Sequence, residues 1–294
     1  MGYSIGRQNS DGSGTVQITD GTDTLLINTD GSLTATILDT ALEASRGNIT
    51  GTSVVNKFGT STNMDSDIVT DIWDRANATD DQDVWLAPTA ARIHQIKSTD
   101  DNDGKTGSPS ATGARTVRIF GLPDWDTKEI SEDITMSGTD NVATSSAFVI
   151  IYRIQVLTCG ASGPNIGTIT ATADSDSTVT AQVQPGLGQT RMCIYGIPST
   201  QKLYLTTFYF HLDKAGGAAR ADYILKETVD VENQPTVFRN IWDGAVDTAG
   251  TSAYIHQWSP YRAFEGPMIV KVSGEASANN SQGSAGFDAY LVDN

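Results

Sequence analysis

The sequence predicts an all-β protein: an antiparallel β-sandwich or jelly-roll body with a short N-terminal β-hairpin arm. Runs of β-branched and aromatic residues alternate with clusters of Gly, Asp, Asn, Ser and Thr along all 294 residues. The spacers between these runs do not have the helical crossover patterns that a parallel sheet requires. With 38% hydrophobic and 18% charged residues, the chain also has the composition of a globular protein.

Three regions follow one another along the chain. Residues 1–51 form the predicted attachment arm, and residues 52–187 form a β-sandwich region. Residues 188–294 form either a second β region or a continuation of the same sandwich. Alternation at period two, clearest at residues 114–120, indicates strands with one buried and one solvated face. Further strands are predicted at 92–96, 128–136, 148–157, 167–173, 192–195, 202–210, 223–229, 268–272 and 287–292.

The arm contains a hairpin signal. Asp20-Gly21 and Asp30-Gly31 separate β-branched runs at 15–19, 24–28 and 33–37, and Gly supplies the positive φ that such turns need. One helical turn is expected at 40–45, ending at Gly47. Strands this short bury little apolar surface alone, so we expect the arm to attach to another protein. The residues expected to provide this attachment are Val16, Ile18, Leu25, Leu26, Ile27 and Leu33.

The charge of the chain limits its partners. A formal net charge of −16 repels phosphate backbones and anionic lipid, so neither nucleic acid nor a membrane is an expected partner. The N-terminus has no apolar core of a signal peptide. The most apolar stretch, 147–159, is too short to span a bilayer and contains Arg153. We therefore expect a soluble protein synthesised in a cytoplasm.

The two cysteines, Cys159 and Cys193, do not form a CxxC motif. Both follow or lie within apolar, strand-like segments. They are expected to be buried thiols, with a single disulfide as the alternative.

Metal binding has little support in the sequence. His94, His211 and His256 do not have the spacing of a zinc site. The run 99–105 resembles a calcium loop, but Ser110 stands where an EF-hand needs its bidentate carboxylate. A simpler calcium site remains open, and its ligands would be Asp100, Asp101 and Asp103 with the acidic stretch 80–83. The alternative is two solvated acidic loops.

Catalysis is not predicted, and we assign no catalytic or cofactor-binding residue. Glu129, Glu132 and Asp133 lie near Trp125, as the acids of a glycosidase could, but such acids are brought together by the fold and not by a linear motif. The long repeats of a solenoid depolymerase are absent from the sequence. Binding of a glycan without cleavage is the stronger alternative, through stacking on Trp73, Trp125 or Trp242. Core packing is the competing interpretation of each Trp.

Several stretches carry a resemblance to known proteins. Residues 14–24 (GTVQITDGTDT) and 28–33 (NTDGSL) resemble short N-terminal modules of tailed-bacteriophage virion proteins. Residues 113–122 (GARTVRIFGL), 188–195 (GQTRMCIY) and 284–293 (SAGFDAYLVD) resemble a group of uncharacterised proteins from phages of marine and other aquatic bacteria. These motifs are turns and strands with no chemistry attached.

The resemblance implies a virion component that is made in the host bacterial cytoplasm. We expect a non-enzymatic structural protein, an exposed decoration or appendage of the head or tail anchored through its arm. The alternative is a receptor- or glycan-binding module of a tail fibre or baseplate. The expected partners are other copies of the chain, a trimer by analogy with viral β appendages, together with major capsid or tail subunits and a host surface glycan.

Overall fold

A computed structural model describes residues 40–80, 82–104, 111–214, 220–247 and 252–294, together with the backbone of short strands at 4–5, 16–19 and 24–27. The chain divides into two compact units, Met1–Thr50 and Gly51–Asn294. We call the second unit the body.

The N-terminal unit contains the predicted hairpin. Strands β1 (Ser4–Ile5), β2 (Val16–Thr19) and β3 (Thr24–Ile27) form an antiparallel sheet in that order, and Thr19 pairs with Thr24 across the turn. Helix α1 (Thr40–Ser45) follows, and Gly47 has a φ of +74°. Both the hairpin and the helical turn are therefore confirmed. The third predicted strand, 33–37, lies outside the described residues.

The body contains sixteen described strands. They are β4 (Thr52–Met64), β5 (Thr70–Asp71), β6 (His94–Ser98), β7 (Ala114–Leu122), β8 (Ile130–Thr135), β9 (Val142–Ala143), β10 (Ile150–Cys159), β11 (Ile169–Ala173), β12 (Val179–Val183), β13 (Ile194–Ile197), β14 (Gln201–Lys214), β15 (Arg220–Asp230), β16 (Gln234–Asp247), β17 (Ala253–Glu265), β18 (Met268–Ala276) and β19 (Ser281–Asp293).

These strands form four antiparallel sheets, which confirms the all-β prediction. Sheet I has the order β17-β14-β19-β4, and sheet II has the order β13-β18-β15-β16, with β5 also paired to β18. Sheet III is β10-β7-β8, and sheet IV is β12-β11-β6-β9. The sheets are arranged like the four blades of a propeller, where the sequence analysis expects the two sheets of a sandwich or jelly roll. Short hairpins such as β7-β8 and β11-β12 pair locally and so divide the strands among several small sheets.

Aromatic side chains fill the space between sheets I and II. Phe210 of β14 stacks on Tyr223 of β15 with ring centroids 4.7 Å apart, and both residues are buried. The Tyr223 hydroxyl donates a hydrogen bond to the His211 carbonyl at 2.6 Å. Strand β14 alternates buried and half-buried residues, as its sequence predicts, and its register with β19 shifts between Leu205 and Thr207 and between Leu212 and Lys214.

A buried carboxylate connects sheets II and IV. Asp71 in β5 accepts hydrogen bonds from the Lys271 ammonium at 2.6 Å and from the Ser273 hydroxyl at 2.6 Å, both in β18. It also accepts one from the Trp85 backbone N–H at 2.8 Å. The Trp85 indole N–H in turn donates to the Thr180 carbonyl in β12 at 2.9 Å. The Asp71–Lys271 pair therefore fixes the segment around Trp85, which contacts both sheet II and sheet IV.

A second buried carboxylate connects sheets III and IV. Asp103 accepts hydrogen bonds from the Ser98 hydroxyl at 2.5 Å and from the Ala114 backbone N–H, which begins β7, at 2.8 Å. The backbone N–H groups of Ile166 and Gly167, just before β11, donate to it at 2.9 and 2.8 Å. Four donors from three chain segments thus surround one carboxylate.

The Asp71–Lys271 pair predicts a large loss of stability when one partner is removed. We expect Asp71→Asn to lower the free energy of unfolding by about 3–5 kcal/mol, because it leaves the Lys271 charge buried without its counter-ion. Urea denaturation followed by circular dichroism measures this. Asp133→Asn, which breaks the exposed pair with Arg118, is the control and should shift the midpoint little. Equal shifts in the two variants would contradict the structural role of Asp71.

Candidate assembly surface

Among the described strands, β16 lies at one edge of sheet II and β17 at one edge of sheet I. They lie side by side, since Trp242 of β16 stacks on Tyr254 of β17 with centroids 5.8 Å apart. Val246 is the buried residue of β16 and Phe264 that of β17. We call the surface formed by these two strands the edge face. Within the part of the chain that the structure describes, no further strand pairs with the outer side of β16 or β17, so both present backbone groups at a sheet edge.

The edge face exposes large apolar side chains. Ile255 is 67% exposed and Tyr261 is 54% exposed, while Val237 and Tyr254 are 45% and 39% exposed. Tyr254 and Ile255 are consecutive in β17 and therefore point to opposite faces of sheet I, so the exposed apolar side chains border the strand edge on both faces. A single exposed apolar residue is ordinary, but several along two adjacent edge strands favour an interaction site.

An aromatic cluster supports the edge face from inside. The Trp242 ring contacts the rings of Phe208 and Phe210 in β14 at centroid distances of 5.5 and 5.9 Å. The Trp242 ring also contacts the ring of His256 in β17 at 5.4 Å, and His256 contacts Trp258 at 4.6 Å. Ring contacts of this kind restrict side-chain motion, so the exposed residues are carried on a well-packed base.

The edge face has little of the overall negative charge. Strands β16 and β17 contain two arginines, Arg239 and Arg262, and three carboxylates, Asp243, Asp247 and Glu265, a net charge of −1. The whole chain has a net charge of −16. A negatively charged partner would therefore meet less electrostatic repulsion here than over an average part of the surface.

The tryptophans predicted to contact glycan differ in exposure. Trp73 is fully buried, and its indole N–H donates to the Gln82 carbonyl at 3.0 Å, so it has no face free for a sugar. Trp125 is half-buried against the core near Gly196. Trp242 is half-buried within the aromatic cluster described above. The glycan hypothesis therefore does not fit Trp73, and it stays a prediction for Trp125 and Trp242.

The three carboxylates considered for catalysis have separate partners. Glu129 accepts a hydrogen bond from the Tyr152 hydroxyl at 2.6 Å. Glu132 accepts from the backbone N–H groups of Ser145 and Ser146 at 2.6 and 3.1 Å. Asp133 pairs with the Arg118 guanidinium at 2.6 Å. Glu132 and Asp133 are neighbours in β8 and point to opposite faces of the sheet.

Three of the predicted calcium ligands, Asp100, Asp101 and Asp103, are engaged by protein donors, and Asp81 of the acidic stretch 80–83 lies outside the described residues. Both oxygens of Asp103 are taken by the four donors described above. Asp100 accepts from the Asn102 backbone at 2.8 Å, and Asp101 accepts from the Thr139 hydroxyl at 2.6 Å. Among the described residues, no group of three or more His, Cys, Asp or Glu is placed to hold a metal ion. Asp103 fits a structural junction and not a calcium ligand.

The remaining predicted residues are placed as follows. Cys159 and Cys193 are both free thiols, and Cys159 is exposed, so the prediction of a buried thiol is wrong for Cys159. Burial raises the pKa of the Cys193 thiol. The backbone of Val16, Ile18, Leu25, Leu26 and Ile27 lies in β2 and β3, but their side chains, and all of Leu33, are outside the described residues.

Comparison with known proteins gives little guidance. No family model matches the sequence, and no curated protein matches it. A solved structure, the VP2 subviral particle of infectious bursal disease virus, is 10% identical over 82% of this chain and 72% of that chain, with a TM-score of 0.19. A score this low supports no inference about fold or function. Across the described residues, no helix has the length and apolar character needed to cross a membrane.

Burial of His94 predicts a pH-dependent stability. Burial lowers the pKa of His94 from 6.5 to about 4. The Nδ1 atom of the ring lies 3.0 Å from the Arg92 carbonyl oxygen, at hydrogen-bonding distance. Within the described part of the chain, Nε2 has no hydrogen-bond partner. The unfolded chain therefore binds this proton more readily, and stability decreases as the pH falls from about 6.5 to about 4.

We expect this loss to amount to as much as about 3 kcal/mol in the wild-type protein and to be smaller in His94→Gln. Urea denaturation at pH 7, 6, 5 and 4 measures it, and the difference between the two proteins isolates the contribution of His94. Parallel stability profiles would show that His94 does not cause the pH dependence.

Proposed function

We propose that this chain is a non-enzymatic structural component of a tailed-bacteriophage virion, an exposed decoration or appendage of the head or tail. The observation that carries the proposal is the edge face, because a protein whose task is assembly must present surface that is completed by another subunit. The link to phage virions rests on the sequence resemblance of residues 113–122, 188–195 and 284–293.

The partner proposed for the edge face is a second copy of the chain. Copies that meet there can continue sheets I and II across the contact, since β16 and β17 supply unpaired N–H and C=O groups. The contact would also cover Ile255 and Tyr261. We propose a closed ring of three copies, by analogy with the trimers that many viral β appendages form.

The N-terminal unit is proposed to anchor the body to a capsid or tail subunit. Its three short strands form a sheet whose outer strands can pair with a strand of another protein. The apolar residues of β2 and β3, with Leu33, are the proposed contacts. The body would then project from the particle.

The edge face predicts that one substitution separates the copies. We expect Ile255→Asp to convert an oligomer into monomers, because it places a charge in the apolar centre of the contact. Sedimentation velocity of the purified protein measures the change. Leu157→Asp is the matched control, since Leu157 is 40% exposed on β10, an edge strand of sheet III. A monomeric wild-type protein, or equal dissociation in both variants, would contradict the proposed contact.

The division of the chain predicts a separable attachment function. We expect a protein of residues 51–294 to fold, because the body has its own core, and to be missing from phage particles, because it lacks the anchor. Circular dichroism measures folding, and immunogold microscopy of purified particles measures incorporation beside the full-length chain.

The distribution of the label distinguishes the possible locations. Label over the head indicates a capsid decoration, and label at the tail tip or fibres indicates an appendage in contact with the host. Absence of the full-length protein from purified particles would overturn the virion role. Incorporation of residues 51–294 at the full-length level would overturn the anchoring role of the arm alone.

A further inference from the structure

A cleft of about 590 Å³ lies in the body, away from the edge face. One wall is β4, the edge strand of sheet I opposite to β17, and the other wall comes from β7 and β10 of sheet III. Lys57, Tyr152 and Tyr195 line it, and all three are buried. The volume is within the range of clefts that bind small molecules.

Lys57 brings a buried positive charge to this cleft. Lys57 is 7% exposed, and its ammonium donates a hydrogen bond to the Tyr152 carbonyl at 2.7 Å. The ammonium also lies 5.4 Å from the centroid of the Tyr152 ring. Among the described residues, no carboxylate is within ion-pairing distance of it. A buried ammonium without a counter-ion is costly, so this position favours an anion.

Arg153 brings a second positive charge to the cleft. Its guanidinium carbon lies 5.3 Å from the centroid of the Phe120 ring, which holds the group against the wall of the cleft. Its nearest hydrogen-bond partner is the Gln189 side-chain oxygen, at 3.5 Å. Within the described chain, Arg153 has no ion pair either.

The other charged residues of the cleft are already engaged. The Lys128 ammonium pairs with Asp293 at 2.6 Å. Glu129 supplies the carboxylate of the cleft and accepts the Tyr152 hydroxyl at 2.6 Å. The Glu129 carboxylate also attracts Lys57, but its one negative charge offsets only one of the two positive charges, so Lys57 and Arg153 together leave the cleft locally positive in a chain with a net charge of −16.

We propose that this cleft binds a small hydroxylated molecule that carries an oxyanion, such as a sugar acid, and that the oxyanion lies between Lys57 and Arg153. Guanidinium and ammonium groups bind oxyanions through charge-assisted hydrogen bonds. Tyr195 and Gln201 also line the cleft, and their hydroxyl and amide groups are of the kind that binds the hydroxyl groups of such a ligand. The site does not depend on the virion role or on the oligomeric state.

The groups around Lys57 give the site a pH dependence. Burial lowers the pKa of Lys57 to about 7, with Cys193 and Glu129 raising it and Arg153 lowering it by smaller amounts. Burial raises the pKa of both Tyr152 and Tyr195, so both phenols are neutral hydrogen-bond donors near pH 7. An oxyanion should therefore bind more tightly below pH 7, where Lys57 is charged, than above it.

Isothermal titration of the full-length protein tests the proposal. The probes are glucuronate, glucose as the matched uncharged sugar, and inorganic phosphate as the free oxyanion. We expect saturable binding of glucuronate and none of glucose, with a dissociation constant that rises about tenfold or more between pH 6 and pH 8.5. Arg153→Gln should weaken binding about tenfold or more, whereas Arg118→Gln, on the neighbouring strand and paired with Asp133, should not.

Each outcome has a defined meaning. Tighter binding of glucuronate than of phosphate supports a sugar acid, and equal binding of the two supports the oxyanion site with a free anion as its ligand. Lys57→Met, tested only if its thermal unfolding remains cooperative, should remove the pH dependence. Absence of saturable binding by either anion, equal binding of glucose, or unchanged binding by Arg153→Gln would overturn the proposal.

Discussion

The buried charge pair of Asp71 and Lys271 is the constraint on which the body depends. It fixes β5 against sheet II, and through Trp85 the same carboxylate positions the segment that reaches sheet IV. Asp103 has the corresponding role between sheets III and IV. Small sheets have limited cores of their own, and a buried carboxylate that is fully hydrogen-bonded can define how neighbouring sheets meet.

The burial of polar residues at these junctions could not be predicted from the sequence, because their partners come from distant segments. Asp103 stands in an acidic, turn-rich run that has the composition of a metal loop or a solvated surface. Its four donors come from segments up to 64 residues away, so sequence spacing carries no information about them. Lys57 is similar, because a lysine in a polar strand predicts exposure, and its burial results from the approach of β10.

The strands themselves were largely predictable, but their grouping was not. Period-two alternation identified β7, β14 and β15, because one face of each strand meets the core. It missed β4, in which Asn56, Gly59 and several Ser and Thr residues weaken the pattern. Gly59 lies there because a Cβ would come within 2.4 Å of the Ile72 carbonyl, a contact between distant segments. Alternation reports which face is buried, and it does not report which sheet a strand joins.

Most of the edge face was also missed, for a different reason. Strands β16 and β17 contain Pro235, Gly244 and Pro260, which indicate turns or edges. Their apolar residues do not alternate cleanly, because neither strand has a fully buried face. The two edge strands of sheet I thus belong to different proposed sites: β17 is part of the edge face, and β4 lines the cleft. Three strand spacings, about 14 Å, separate them, so a second copy at one edge can leave the other open to a ligand.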